Sequence, residues 1–306
     1  MPPYIYALSS ALLWAASVPI LNIGIRRLPE QSLTAVIPGL LVSMTMGTFA
    51  LGLFVFPISN FEAASGATIA AGLFTYPIAT GLYYMASYAF GARTEFAAQF
   101  SKVKPLFSLI IALFFLGETI TSHQTVSATM VVVGILLFLL GVSRHSFTIN
   151  AVILGLLTAL AWAIGEAFVK IGFVEGKSIE HSFFALASGT LFAWFLYPLL
   201  RIRIIKPVTL HLYWLWPFAA HGLISFGIAY TLFFHSITKL GLYPTVLINA
   251  FWPFLSIVLA RLIFHPTSKH VTQRIPIAIW LASSLLLVAS LIEIIMIHSQ
   301  FNQLPQ

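Results

Sequence analysis

The sequence of 306 residues contains no cysteine and no aspartate, and only 8% of its residues are charged. Without cysteine the chain can form no disulfide, thiolate metal site or cysteine nucleophile. Without aspartate it also lacks a common ligand of metal clusters, and we therefore expect no metal ion and no cofactor. Soluble domains are about one quarter charged, so water is not the main solvent of this chain.

The sequence also lacks the short motifs that mark common enzymes. It contains no HExxH, no GxSxG and no Walker lysine loop, so we predict that the protein is not an enzyme and does not hydrolyse ATP. The net charge of +7 is compatible with nucleic-acid binding. The basic residues lie between apolar runs, however, and do not form a polar surface that could follow phosphates, so we predict no nucleic-acid partner.

What the sequence does contain is a series of long apolar stretches, since 59% of its residues are hydrophobic. A bilayer core requires about 20 apolar residues per helix. Ten stretches meet this requirement: 4–25, 33–56, 67–89, 94–116, 123–142, 149–172, 181–201, 212–236, 242–264 and 274–297. The first lacks the features of a cleaved signal, and we expect it to be retained. The sequence therefore predicts an all-α integral membrane protein in contact with the lipid bilayer.

Two pairs of segments indicate an internal repeat. ALLWAASVPILNIGI at 11–25 resembles ALAWAIGEAFVKIGF at 159–173, with Trp162 following Trp14 by 148 residues. KPLFSLIIALFF at 104–115 matches WPFLSIVLARLI at 252–263 at the same offset. Because five helices are an odd number, a second copy enters the membrane from the opposite side. We therefore predict ten transmembrane helices as two inverted five-helix repeats, 1–146 and 147–306, in one integral membrane unit.

These residues resemble a known family. WAASVPILNIGI in the first span and KPLFSLIIALFFLGETIT from the fourth span to its exit are similar to the EamA branch of the drug/metabolite transporter superfamily. The most specific motif is Leu116-Gly117-Glu118 followed by Thr121, whereas the second half has Phe264-His265-Pro266 at the matching place. The resemblance implies a five-plus-five transporter whose members commonly export amino acids and related metabolites.

Ionisable residues inside a membrane are costly and often functional. In the sixth span Trp162, Glu166 and Lys170 recur every four residues and share one broad face. We expect Glu166, which is the only acidic residue placed well inside a predicted span, to bind a substrate ammonium or carry a proton. The alternative is that Glu166 and Lys170 only neutralise one another.

On one α-helix, Lys102 and Lys104 of the fourth span lie on different stripes, and the repeat favours the stripe that contains Lys104. Lys104 aligns with Trp252, and Asn249 lies on a polar and aromatic stripe of the ninth span, so we predict that Lys104 and Asn249 line the transport path. The alternative is that Lys102 and Lys104 extend to a nearby interface. Pro105 and Pro253 occupy matched positions, and we expect them to act as paired hinges. The predicted substrate-binding residues are Trp14, Asn22, Tyr83, Tyr84, Lys104, Trp162, Glu166, Lys170, Tyr230, Asn249 and Trp252.

The sequence therefore predicts a secondary active transporter of a small polar metabolite. We expect an exporter of amino acids or related zwitterions that works by alternating access, with protons or exchange as the candidate forms of coupling. The alternatives are an importer of a quaternary ammonium compound such as choline and, in another class, a non-transporting membrane scaffold or a subunit of a lipid enzyme. The protein is expected to be a monomer or a homodimer.

The basic residues are distributed asymmetrically between the two sides of the predicted bundle. The odd-to-even loops contain most of the lysines and arginines, which places these loops in the cytoplasm by the positive-inside rule. We therefore predict a multi-pass protein of the cell's inner membrane with both termini on the non-cytoplasmic side.

Overall fold

A computed structural model describes residues 2–28, 33–56, 61–88, 98–142, 149–203, 212–252, 255–256, 258–259, 262 and 277–302. Helices account for 91% of the structure, and none of the described residues lies in a β-strand. The all-α prediction is therefore confirmed for this part of the chain. Long apolar stretches form helices because a helix satisfies every backbone hydrogen bond within its own segment, as lipid requires.

In the first half of the chain, the described residues form six α-helices. They are α1 Pro3–Arg27, α2 Leu33–Val55, α3 Gly66–Leu73, α4 Ala79–Tyr88, α5 Lys104–Phe114 and α6 Ser122–Val142. A π-helical segment, Phe74–Ile78, connects α3 to α4 without a break. Two short 3₁₀ segments, Phe61–Ala63 and Ala98–Val103, precede α3 and α5.

The second half repeats much of this order. The helices whose bounds the described residues define are α7 Ile149–Gly172, α8 Ser178–Arg203, α9 Leu212–His221, α10 Tyr230–Leu240, α11 Leu242–Asn249 and α12 Ile277–Asn302. A second π-helical segment, Gly222–Ala229, connects α9 to α10. It begins 148 residues after the first π-helical segment, which is the offset that relates the repeated sequences.

Within the described residues, seven helical stretches are long and apolar enough to cross a membrane. They are Pro3–Ile25, Val36–Val55, Ser122–Gly141, Val152–Gly172, Ser178–Leu199, Trp214–Leu240 and Ile277–Gln300. Many of their outward residues are large and apolar, such as Phe54 and Phe195, as expected of a surface in contact with lipid. The chain is therefore a multi-pass membrane protein.

Glycines permit two close helix crossings. A Cβ atom added at Gly72 of α3 would lie 1.9 Å from the carbonyl oxygen of Ala185 of α8, and one added at Gly222 would lie 2.0 Å from the carbonyl oxygen of Ser43 of α2. Small residues at such crossings allow the backbones to approach, which is the usual basis of helix packing in membranes. Both crossings join an element of the first half to an element of the second.

Both ends of the described chain lie on one face of the bundle. The Tyr4 hydroxyl and His298 Nδ1 are 2.9 Å apart, so the start of α1 is beside the end of α12. We call this side the terminal face. At the opposite end of α1, the Arg27 guanidinium lies 5.3 Å from the ring centre of Trp216, near the start of α9. We call that side the loop face.

Candidate functional site

A central cavity lies between the two halves and encloses about 130 Å³. Its walls come from α1, α4, α7, α11, the end of α9, the π-helical segment Gly222–Ala229, the start of α10 and the junction of the 3₁₀ segment with α5. Small and medium side chains at Ser17, Val18, Thr80 and Ser225 leave room between the aromatic rings. Most of its lining residues lie at mid-depth or between mid-depth and the loop face.

Eight of the predicted substrate-binding residues line this cavity. They are Trp14, Tyr83, Tyr84, Lys104, Trp162, Tyr230, Asn249 and Trp252. Asn22, Glu166 and Lys170 are not among its lining residues. The structure also adds residues that were not predicted as binding residues, including Ser17, Thr80, Ser101, Lys102 and His221. Helical periodicity could not select Ser17 or Ser225, because isolated serines are common in apolar helices.

Glu166 lies behind the cavity wall, in an ion pair with Lys104. The distance from Lys104 Nζ to Glu166 Oε1 is 2.5 Å, and the Ser108 hydroxyl donates to Glu166 Oε2 at 2.6 Å. The Glu166 side chain is only 2% exposed and that of Lys104 is 14% exposed. Both carboxylate oxygens therefore have partners, as a buried charge requires.

The proposed pairing of Glu166 with Lys170 is wrong. Lys170 extends from the last turn of α7 to Glu118, with 4.0 Å between Lys170 Nζ and Glu118 Oε1. The spacing of Glu166 and Lys170 in sequence was correct for a helical pair. The Glu166–Lys170 pair does not form because α5 brings Lys104 and Ser108 to the Glu166 carboxylate. Helical spacing cannot predict such a long-range contact.

Lys102 and Lys104 both line the cavity, although the sequence placed them on different stripes of one α-helix. The reason is that Lys102 belongs to the 3₁₀ segment Ala98–Val103 and Lys104 begins α5, so one α-helical wheel does not describe both. The Lys102 ammonium lies 3.9 Å from the ring centre of Trp252, within range of a cation–π interaction. Within the described part of the chain Lys102 forms no ion pair.

Asn249 has a fixed orientation and an acceptor without a hydrogen-bond partner. Its Nδ2 donates to the Ala7 carbonyl oxygen at 2.9 Å and to Ser10 Oγ at 2.7 Å. The Ser10 hydroxyl itself donates to the Ala7 carbonyl oxygen, so Ser10 Oγ can only accept from Asn249. Asn249 Oδ1 therefore points away from Ala7 and Ser10. It is buried and has no hydrogen-bond partner among the described residues.

Aromatic rings form the apolar part of the cavity wall. The Trp14 ring centre lies 4.8 Å from that of Tyr230 and 6.0 Å from that of Trp252. On the other side, Trp162 Nε1 donates to the carbonyl oxygen of Thr75 at 3.0 Å. This carbonyl lies in the first π-helical segment. The Trp162 side chain therefore provides a hydrogen-bond donor to a backbone acceptor of an irregular helix.

Glu118 of the family motif caps a helix of the other half. Its Oε1 accepts from the backbone N–H of Leu242 at 2.7 Å, and its Oε2 accepts from that of Tyr243 at 2.8 Å. These are the first two residues of α11, and Gly241 before them adopts φ 95°, a conformation that favours glycine. A negative charge at a helix N-terminus is stabilising. The residues predicted at the matching place in the second half, Phe264-His265-Pro266, lie outside the described residues.

The hinge prediction can be placed only in part. Pro105 is in the first turn of α5, directly after the change from 3₁₀ to α geometry, and it lines the cavity. Proline is well tolerated there because the N–H that it lacks would have no helical partner. Pro253 lies outside the described residues. The paired-hinge role stays a prediction.

Comparison with known proteins finds a family match over the first part of the chain and a similar fold for nearly all of it. Residues 1–140 match the model of the EamA-like transporter family, which confirms the resemblance for this region. No curated protein matches the sequence. Among solved structures 29 chains match. One, titled "Crystal structure of protein", has a TM-score of 0.72 at 14% identity and covers 97% of this chain and 98% of its own. That likeness shows the fold alone.

Proposed function

We propose that this chain, whose first 140 residues match a transporter family, is a secondary active transporter that exports amino acids or related zwitterions. The observation that carries the proposal is the composition of the cavity lining, which in the described part contains two lysines and no acidic residue. Because Lys104 is already paired with Glu166, we assign the substrate carboxylate to Lys102. A carboxylate–ammonium hydrogen bond is among the stronger kinds in proteins.

The same cavity offers sites for a substrate ammonium group. Asn249 borders the cavity and its Oδ1 is a buried acceptor with no partner among the described residues. The rings of Trp14 and Tyr230 add π faces that attract cations. An acceptor and aromatic faces near one unneutralised lysine suit a small zwitterion better than a simple anion.

Two symmetric features support the inverted repeat and alternating access. The π-helical segments begin 148 residues apart, and the two glycine crossings join α3 to α8 and the second π-helical segment to α2. Exchanging the two halves converts one crossing into the other. Related halves around a central site are the usual architecture in which one half moves against the other. The described lining residues come from one chain, which is compatible with either a monomer or a homodimer.

The position of the cavity is compatible with export, because export requires a conformation that loads substrate from the cytoplasm. Its lining extends towards the loop face, where the basic loops predict cytoplasm, whereas Glu118 and the start of α11 join the halves on the terminal face. Substrate would then load from the cytoplasm in this conformation. Because the sequence has no cysteine, a single cysteine introduced at Tyr4 tests the orientation. An impermeant maleimide should label it from outside intact cells, and labelling only after lysis would place the termini in the cytoplasm.

A second candidate substrate is a quaternary ammonium compound, which the aromatic rings around Trp14 favour. The unneutralised Lys102 opposes it electrostatically, and Glu166 is not available because it is paired with Lys104. A scaffold without transport activity would be expected to fill its centre with apolar contacts. The cavity with its polar and cationic lining favours transport instead.

Solute counterflow in proteoliposomes tests the proposal. The panel contains labelled amino acids, the matching carboxylic acids without the amino group, and quaternary amines, each tested with wild type, Lys102→Met and Lys177→Met. Lys177 is the control because its ion pair with Glu62 is exposed and away from the cavity. We expect amino-acid exchange that falls about tenfold or more in Lys102→Met only. Exchange of quaternary amines alone would favour the second candidate, and no exchange of any class would contradict the proposal.

A further inference from the structure

A second buried acidic residue lies away from the cavity, in the interface between α6 and α12. Glu293 of α12 is 0% exposed. Its Oε1 accepts from Gln124 Nε2 of α6 at 3.0 Å, while its Oε2 is buried and has no hydrogen-bond partner among the described residues. The sequence had placed only Glu166 well inside a span. Glu293 was missed because α12 continues to Asn302, beyond the predicted end of that span.

The packing register places a second polar atom at the same level. Gly141 of α6 lies against Ile279 of α12, and Gly134 lies against Leu286, so seven residues back along α6 correspond to seven forward along α12. A further seven residues along each helix place Ser127 of α6 opposite Glu293 of α12. The Ser127 hydroxyl is also buried without a hydrogen-bond partner among the described residues. Ser127 and Glu293 thus each contribute, at one level of this interface, a buried polar atom that has no hydrogen-bond partner among the described residues.

No described cation compensates a charge on Glu293. The titratable side chains near this end of the helices packed against it are His123 of α6, Tyr243 of α11, and Tyr4 and Tyr6 of α1, and His298 follows on α12 itself. None of them forms an ion pair with Glu293 in the described part of the chain. An ionised carboxylate with one hydrogen bond is costly inside a membrane, whereas a neutral carboxyl group is much less so.

The surrounding atoms favour a proton over a metal cation at this position. Gln124 Oε1 accepts from the backbone N–H of Thr121 at 3.0 Å, which fixes the amide so that its NH₂ group faces Glu293. Among the described residues no group of three or more His, Asp or Glu side chains surrounds Glu293, so a metal ion would lack ligands there. The hydrogen bond from Gln124 to Oε1 leaves Oε2 available. It is compatible with a carboxyl group whose Oε2 carries a hydrogen, because Oε1 then remains an acceptor.

We propose that Glu293 is a proton-binding residue, neutral while α6, α11 and α12 are packed as in this structure and ionised when their ends at the terminal face separate. The site is connected to α11, because the Tyr243 hydroxyl donates to the Gln124 carbonyl oxygen at 3.3 Å and the Ser290 hydroxyl to the Leu247 carbonyl oxygen at 2.9 Å. The same helix ends at Asn249, which borders the cavity. Because the proton would leave at the terminal face, where exported substrate also leaves, its release would couple movement of α11 to cotransport of a proton and substrate in one direction, a role that rests on the proposed transport.

Infrared spectroscopy of the solubilised full chain tests the proton site without a substrate. At neutral pH, wild type should show the carbonyl stretch of a protonated carboxyl group, shifted on transfer to heavy water. Glu293→Gln should lose this band, and Glu62→Gln, which removes an exposed carboxylate, should retain it. Ser127→Ala should shift its frequency. A wild-type spectrum without the band would overturn the proposal, even if Glu293→Gln failed to fold.

Transport measurements test the coupling separately. With a substrate identified by counterflow, an imposed pH gradient should drive accumulation in wild type and not in Glu293→Gln, while exchange at equal pH continues in both. Equal gradient-driven accumulation in the two proteins would overturn the coupling. If no substrate were found, the proposed transport would fail, but the infrared result would still decide whether Glu293 holds a proton.

Discussion

Lys104 and Glu166 form an ion pair that joins the two halves of the chain, with 2.5 Å between Nζ and Oε1. The pair neutralises the acid that the sequence suggested for substrate binding, and it leaves Lys102 as the lysine of the cavity without an ion pair among the described residues. The Lys104 ammonium also lies 4.9 Å from the ring centre of Phe233. Glu166 thus acts on the cavity indirectly, by holding Lys104 against one wall.

Removing one partner of this ion pair should destabilise the protein more than removing both. Lys104→Met leaves an ionised or newly protonated Glu166 that is 2% exposed, and we expect a loss of about 3–5 kcal/mol in the free energy of unfolding. Lys104→Met combined with Glu166→Met should recover most of this loss. Thermal unfolding in detergent would measure the difference.

The matched control is the exposed pair of Lys177 and Glu62, whose side chains are 37% and 77% exposed. Lys177→Met should cost about 0–1 kcal/mol, because solvent screens the pair. If the double variant at Lys104 and Glu166 were less stable than Lys104→Met alone, the ion pair would not be the reason for the loss.

Asn249 should discriminate between substrates that have an ammonium group and those that do not. Asn249→Leu removes the acceptor Oδ1, so counterflow of an amino acid should fall about tenfold, whereas its deaminated acid should bind as before. Asn22→Leu is the control, since Asn22 does not line the cavity. Equal loss for both substrates in Asn249→Leu would indicate a structural effect through Ala7 and Ser10 instead.

The sequence predicted the helical class and much of the cavity wall, because apolar length and the internal repeat are local signals. Trp14, Trp162 and Asn249 could be chosen from the alignment of the two halves. The partner of Glu166 could not, because Lys104 is 62 residues away and the contact depends on how α5 packs against α7. The position of Lys102 was missed because the change from 3₁₀ to α geometry interrupts helical periodicity.

Glu118 should stabilise the protein through the N-terminus of α11. Glu118→Gln removes the negative charge and leaves one acceptor oxygen for two N–H groups, those of Leu242 and Tyr243. We expect a loss of about 1–2 kcal/mol in the free energy of unfolding. Amide exchange by mass spectrometry should show faster exchange at the start of α11. Glu62→Gln, at a side chain that is 77% exposed, serves as the control, and an equal effect in both variants would contradict the capping role.

The two glycine crossings should respond to substitution in the same way. Gly72→Ala would place a Cβ atom 1.9 Å from the Ala185 carbonyl oxygen, and Gly222→Ala would place one 2.0 Å from that of Ser43. Each should cost about 1–3 kcal/mol or more, because backbone atoms cannot move aside as a flexible side chain can. Gly81→Ala, which meets nothing within 4 Å, should be neutral or stabilising by about 0.5–1 kcal/mol. Thermal unfolding measures all three. A large loss at only one crossing would count against equivalent contacts in the two halves, and therefore against the inverted repeat on which alternating access depends.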